Sequence, residues 1–123
     1  MNTLGMLAER EAARYFLKQK YVLVSHNYSS RFGEIDLIFK KKNRFSKNGY
    51  IVFVEVKMRD VDSIAQPKEF VDASKQQKII MTAKDYLMKN PTSYQPRFDV
   101  AEVFYENNSI KSINHLENAF TLD

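Results

Sequence analysis

Apolar positions recur three and four residues apart through Leu4, Leu7, Ala8, Ala12, Tyr15, Phe16 and Leu17, which predicts a helix capped by Thr3 and running to about Lys20. The period then falls to two. Residues 21–28 predict a strand with Tyr21, Leu23 and Ser25 on one face, and residues 27–32 a polar turn that closes at Gly33. A second strand is expected over residues 34–40, followed by a basic loop ending in Asn48-Gly49, a dipeptide suited to tight turns. Residues 50–58 are the most hydrophobic strand, with Val52, Val54 and Val56 facing one way, and residues 59–68 read as a loop broken by Pro67. The helical period returns from Glu69 or Asp72 to Met88, with Ile79, Ile80, Ala83, Tyr86 and Leu87 as its core face. A proline-bearing linker over residues 90–96 leads to a strand over 97–105, an Asn107-Asn108 turn and a short last strand over 109–116.

This order predicts an α/β fold, a mixed central sheet flanked by helices. The long helix between residues 50–58 and 97–105 is a crossover, so those two strands run parallel, whereas short links make the first three strands antiparallel. Layers on both faces of the central strand account for its apolarity. A chain of 123 residues fits a single domain spanning 1–123.

Two of these strands place acids where a plain strand would carry Val or Thr. Gly33-Glu34-Ile35-Asp36-Leu37-Ile38 puts Glu34 and Asp36 on one face, and Val52-Phe53-Val54-Glu55-Val56-Lys57 does the same for Glu55 and Lys57. Paired as a hairpin, the strands bring three carboxylates and one amine to one patch. Crowded carboxylates repel and weaken a sheet. A divalent cation is the natural compensation, because Mg²⁺ takes oxygen ligands, uses one or two carboxylates and keeps several waters. Asp36 and Glu55 meet that requirement, with Mn²⁺ as an alternative to Mg²⁺. Lys57 would point into the same site and stabilise charge developing at a phosphorus centre. The plainer reading is a surface cross-strand ion pair between Lys57 and Asp36 or Glu34, worth under about 1 kcal/mol. Glu9, beside the apolar stripe of the first helix, is either an exposed helical glutamate paired with its neighbours or a further acid of the metal site.

Charge distribution then suggests the substrate. The formal net charge is +4. Lys40, Lys41, Lys42, Arg44 and Lys47 crowd the segment between the two acidic strands, and Lys75, Lys78, Lys84 and Lys89 lie along the second helix. Basic groups beside an acidic cluster point to a phosphate backbone, with Arg31, Lys41, Lys42, Arg44, Arg59, Lys75, Gln76 and Lys78 as candidate nucleic-acid contacts. Each basic run alone reads as a solvated loop or helix face. His26 and His115 lack ligand spacing and read as structural or surface residues. Asp99 is expected to pair with Arg97 or a helix N-terminus, or to support the site from behind.

Several classes are excluded. The chain has no Cys and three Gly, so it holds no thiolate metal site, Cys nucleophile or Gly-rich phosphate loop. No apolar run approaches the roughly 20 residues of a membrane span, and no secretory signal is evident, so a cytoplasmic protein that does not enter membranes is expected.

The segments Gly5…Glu9…Ala12, Asn27, Gly33-Glu34-Ile35-Asp36-Leu37-Ile38, Phe53-Val54-Glu55-Val56-Lys57, Ser74-Lys75…Lys78, Arg97-Phe98-Asp99-Val100 and Ala119-Phe120 together resemble the YraN-like family of small bacterial proteins. That family looks like a member of the restriction-endonuclease-like, PD-(D/E)xK nuclease superfamily and is similar to archaeal Holliday-junction resolvases. The resemblance implies an α-β-β-β-α-β core in which Asp36, Glu55 and Lys57 match the nuclease motif and Glu9 matches the acid often carried on the first helix. Ile35 stands where the superfamily's name has Pro. Two readings follow. One is a Mg²⁺-dependent endonuclease acting on DNA ahead of RNA, selective for junctions or branches, for which a homodimer would suit a two-fold substrate. The other is a non-catalytic nucleic-acid-binding or adaptor domain on the same fold.

Overall fold

The computed structural model describes residues 3–45, 47–62 and 71–122. Its elements are α1 (Thr3–Lys18), β1 (Val22–Ser30), β2 (Gly33–Lys42), β3 (Gly49–Asp60), α2 (Ala73–Lys89), β4 (Gln95–Glu106) and β5 (Ser109–Phe120). The strands form one mixed sheet in the order β1-β2-β3-β4-β5. β3 and β4 are parallel and every other pair is antiparallel. This is the expected α-β-β-β-α-β succession closed by a fifth strand.

The helices cover opposite faces. α1 lays Ala8, Ala12 and Phe16 on Leu37, Phe39, Val52, Val54, Ala101 and Val103. α2 lays Ile79, Ile80, Ala83 and Tyr86 on Ile35, Ile38, Ile51, Phe53, Phe98 and Val100. β3 is thus buried on both sides, which explains its unbroken apolar run. Along it, Glu55 shares the α2-side parity of Ile51 and Phe53.

Both helices have defined ends. Asp72 caps α2, its Oδ1 accepting from Lys75 N at 2.8 Å. At the end of α1, Tyr21 N donates to Phe16 O and Lys20 N to Leu17 O, with Lys20 left-handed at φ 71° and the Tyr21 ring 5.0 Å from Phe16. This is a Schellman ending with its apolar contact. Thr3 lies inside α1 as its first residue rather than capping it.

Several boundaries differ from those expected. β1 continues to Ser30, so residues 27–30 are strand and the turn is Arg31-Phe32. The turn-like signal at Asn27 is a left-handed residue inside the strand, at φ 50°. Lys40, Lys41 and Lys42 belong to β2, and β3 runs on to Asp60. Gly49 is required by space, since a Cβ there would collide with the Lys41 carbonyl oxygen and Lys42 Cα. The expected loop break at Pro67, Lys68 and the alternative helix start at Glu69 lie outside the described residues. Asn107 and Asn108 make the β4–β5 turn with φ of 49° and 67°, the primed hairpin geometry. β5 extends four residues beyond Leu116, through a left-handed Asn118.

Candidate functional site

The β2–β3 ladder ends at Leu37↔Val54, although β2 stays paired with β1 to Gly33 and β3 with β4 to Asp60. The sheet therefore forks. Continued by one step, the register would set Asp36 opposite Glu55, so both acids stand at the fork. Side-chain alternation also breaks here: Ile35 and Ile38 both reach the α2-side core, while Leu37 and Phe39 face α1. In β1, left-handed Asn27 stands at the position facing Asp36 and takes no part in the ladder, while the register itself shifts between Leu23 and Ser25. Strict alternation, which would have put Glu34 and Asp36 on one face, does not survive this distortion.

Asp36 is mostly buried, and its Oδ2 accepts the Val56 N–H at 2.8 Å, beyond the end of the ladder. Burial first, then the charge of Glu55, pushes its carboxyl up to about 7, with Glu9 and Glu34 adding smaller repulsions against the lowering effect of the Val56 bond. Glu55 is itself only 8% exposed. Its Oε1 meets Lys75 Nζ at 2.7 Å. That contact raises the lysine's pKa against the opposing effect of burial, with the charges of Glu55, Asp36 and Asp72 acting in the same direction. The Asp72 cap fixes the first turn of α2 and so aims Lys75 at the fork.

The remaining expected residues divide into two groups. Near the fork, Glu9 and Glu34 are bridged by the Asn27 amide, which donates to Glu9 Oε1 at 2.9 Å and Glu34 Oε1 at 3.1 Å. Lys78 packs beside Gly33, its Cβ lying 3.6 Å from where a Gly33 Cβ would stand. Lys57, two residues beyond Glu55, lines a small cleft with Arg59, Gln76 and Glu102. Arg59 Nε donates to Glu102 Oε2 at 2.6 Å, and the Gln76 amide donates to Val71 O at 2.8 Å. Arg31 lies over the Phe32 ring at the β1–β2 turn, 4.8 Å from its centroid.

Lys41, Lys42 and Arg44 are elsewhere. They line a separate cleft at the hairpin end of β2 and β3. Six residues of strand separate Lys42 from Asp36, about 20 Å at the usual rise. The expectation that the basic loop stands beside the acids is thus corrected. Residues adjacent in sequence were carried to opposite ends of the sheet because Lys40–Lys42 extend β2 instead of folding back.

Among the described residues, no three His, Asp or Glu side chains form a group that could hold a metal ion by themselves. Glu9, held by Asn27, does not complete a three-carboxylate cage with Asp36 and Glu55. The pair alone still suits a cation that keeps its waters: two buried, mutually repelling carboxylates, one with raised proton affinity, gain from any positive charge placed between them.

Asp99 sits on the α1 side of the sheet, fully buried. It takes Arg97 Nε and Nη2 at 2.9 and 2.8 Å, the Asn118 N–H at 3.0 Å and His115 Nε2 at 2.6 Å. Because a carboxylate only accepts, Nε2 of His115 donates to Asp99, while Nδ1 lies 3.2 Å from Tyr15 OH. Burial would raise the Asp99 pKa, but bonds from His115, Arg97 and Asn118 hold it below the carboxylate range. Of its expected partners, Asp99 takes Arg97 and no helix N-terminus. Sequence reasoning missed the Lys75–Glu55 and Arg59–Glu102 pairs. The Asp72 cap, three residues before Lys75, was the only signal available for the former.

The profile of the uncharacterised protein family UPF0102 matches residues 8–103. A UPF0102 protein of Caldanaerobacter subterraneus subsp. tengcongensis is 42% identical over 121 residues, covering 96% of this chain and 94% of its own. A UPF0102 protein of Desulforapulum autotrophicum is 40% identical over 121 residues, covering 98% and 94%. One from Acinetobacter baumannii is 40% identical over 134 residues, covering 98% and 96%. No helix among the described residues is long and apolar enough to cross a membrane. The fork carries the strand motifs on which the YraN-like resemblance rested, and with most of the chain matched, this protein belongs to the UPF0102 family.

Proposed function

We propose that the chain is a divalent-cation-dependent nuclease that hydrolyses phosphodiester bonds, with Asp36 and Glu55 as the cation-binding pair. The observation that carries this reading is the fork. A buried Glu55 and a mostly buried Asp36 stand together where the ladder opens, and the Asp36 carboxyl is raised to about 7 by burial and by Glu55. A fold gains nothing from that arrangement unless positive charge is supplied. Mg²⁺ or Mn²⁺ held by the pair would lower the pKa of an attacking water and offset charge on the phosphate oxygens. The Val56 N–H would fix the rotamer of Asp36, and Lys75 would hold Glu55 until a cation competes for it. Lys57 would lie beside the reacting phosphate, with Lys75 and Lys78 along the adjoining helix turn to hold the flanking backbone. The resemblance to the restriction-endonuclease-like superfamily and to Holliday-junction resolvases supports DNA as substrate and branched DNA as its preferred form. Glu9, tied to Asn27, would tune the field at the pair.

One observation favours a second reading. Lys75 already neutralises Glu55 at 2.7 Å, which is what a nucleic-acid-binding domain without turnover would do with a disused acid pair. Labelled four-way junction, flap, single-stranded and duplex DNA, incubated with Mg²⁺, Mn²⁺ or EDTA, separates the two. Cation-dependent cleavage abolished by Asp36→Asn and Glu55→Gln establishes the nuclease. Binding without cleavage on every substrate establishes the second reading.

A further inference from the structure

At the opposite end of the sheet from the acid pair, a cleft of about 650 Å³ opens between the end of α1, the β2–β3 hairpin and the start of β4. We propose that this cleft is a separate site for a phosphorylated nucleoside unit, either a free nucleotide or one residue of a nucleic-acid strand.

Charge is the first observation. The walls carry Lys20, Lys41, Lys42, Arg44 and Arg97 against one carboxylate, Glu117. Arg97 also binds buried Asp99 through Nε and Nη2, so five cations face two carboxylates and the local balance is +3. Glu117 is occupied by Arg97 Nη1 at 2.9 Å. Among the described residues, Lys20, Lys42 and Arg44 meet no carboxylate, and all three are exposed. Lys41 Nζ is held by the Gln19 carbonyl at 2.6 Å, above the Tyr21 ring. So much unscreened positive charge in one concavity suits a phosphate.

The second observation is the shape and chemistry of the walls. The cavity is far larger than a bare phosphate needs and falls within the range of small-molecule sites. Tyr50 and Tyr21 form the apolar part, with the Arg97 guanidinium 5.0 Å from the Tyr50 centroid. A ring backed by a cation is a stacking surface for a nucleobase. An acidic peptide would use the cations and leave the Tyr50 ring idle.

The third observation is Lys20. It occupies the left-handed position of the Schellman ending, φ 71°, where glycine is least strained. A lysine there gives up helix stability and adds an ammonium to the cleft. Backbone cost of this kind gathers at functional positions.

The site does not depend on cleavage, and it lies about 20 Å of strand from Asp36. The test is therefore run in EDTA, with a fluorescein-labelled single strand read by anisotropy, and with AMP, inorganic pyrophosphate and poly-glutamate as competitors. Lys42→Ala with Arg44→Ala should weaken strand or AMP binding about tenfold or more. Lys20→Gly should weaken it severalfold while raising the melting temperature by a few degrees, an outcome that unfolding cannot imitate. Competition by AMP assigns the site to free nucleotides, and retention of the strand alone assigns it to nucleic acid. Either supports the proposal. Equal competition by pyrophosphate or poly-glutamate, absence of binding, or binding indifferent to Lys20, Lys42 and Arg44 overturns it. Absence of DNA cleavage beside Lys42-sensitive binding would remove the nuclease and leave this site standing.

Discussion

Replacing Asp36 by Asn should stabilise the protein at neutral pH in EDTA. The Asp36 carboxyl is displaced from 3.8 to about 7, by burial first and by Glu55 second. A folded-state pKa above the unfolded one means that the native state binds more protons through this window. Stability is then full below about pH 4 and lost as pH rises through about 7. At about 1.4 kcal/mol for each tenfold change in proton affinity, the loss approaches about 4 kcal/mol. Asn is neutral at every pH and keeps an oxygen to accept the Val56 N–H, which reaches Asp36 Oδ2 at 2.8 Å. Urea unfolding at about pH 4.5 and about pH 8 should therefore find the variant close to wild type at the lower pH and more stable by about 2–4 kcal/mol at the higher. In melting temperature that is on the order of 10 °C. Mg²⁺ or Mn²⁺ should close the gap by stabilising only the wild type, because binding to the folded state adds stability by mass action. Parallel pH profiles for the two proteins in EDTA would refute the reasoning, since they would mean that neither burial nor Glu55 raises the Asp36 carboxyl in the folded chain.

Glu55→Gln should lower the Asp36 midpoint toward the normal carboxylate range, read by carbon NMR of the side-chain carboxyl; an unmoved midpoint would assign the whole displacement to burial. Asp99→Asn should cost about 3–5 kcal/mol in urea unfolding, because it leaves the buried Arg97 charge uncompensated; a loss under about 1 kcal/mol would show that the network contributes little. Because the Asp99 pKa is held low, its contribution is present above about pH 4 and lost as pH falls further, so the wild type should have an acid-unfolding limb that Asp99→Asn lacks. Gly49→Ala should cost about 1–3 kcal/mol by forcing the hairpin off the Lys41 carbonyl, and an unchanged melting temperature would show that the turn yields freely.

The fold was legible wherever a local pattern had one physical reading. The apolar run of β3 required cover on both faces, and a crossover helix required a parallel partner, so the centre of the sheet followed from residues 50–105. The ends of strands were less legible. Lys41 and Lys42 looked like loop because charge reports solvent rather than backbone geometry, and a sheet rim is as wet as a loop. Asn27 looked like a turn because its left-handed backbone is commonest in turns; here it lies inside β1, facing Asp36. At the site, the acid pair was readable because a charge within an apolar strand is locally anomalous. Lys75–Glu55 and Asp99–His115 were not readable as pairs, since each joins elements whose spacing depends on the assembled sheet.

The two ends of the sheet impose a sequence of requirements on any anionic polymer. At the fork, Asp36 feels Glu55, Glu9 and Glu34 together, and Lys75 is already engaged with Glu55. A phosphate approaching in the absence of a cation meets the charge of these acids there, whereas the hairpin cleft presents a local charge of +3. Affinity and chemistry are therefore separable. Capture at the basic end should follow the salt-dependent law of phosphate contacts. Engagement of the fork should require a divalent ion, because only that converts its field from repulsive to attractive. On the proposed reading, the charge arrangement that makes the fork unfavourable for the folded chain would also keep the acids from engaging a backbone until the ion is present.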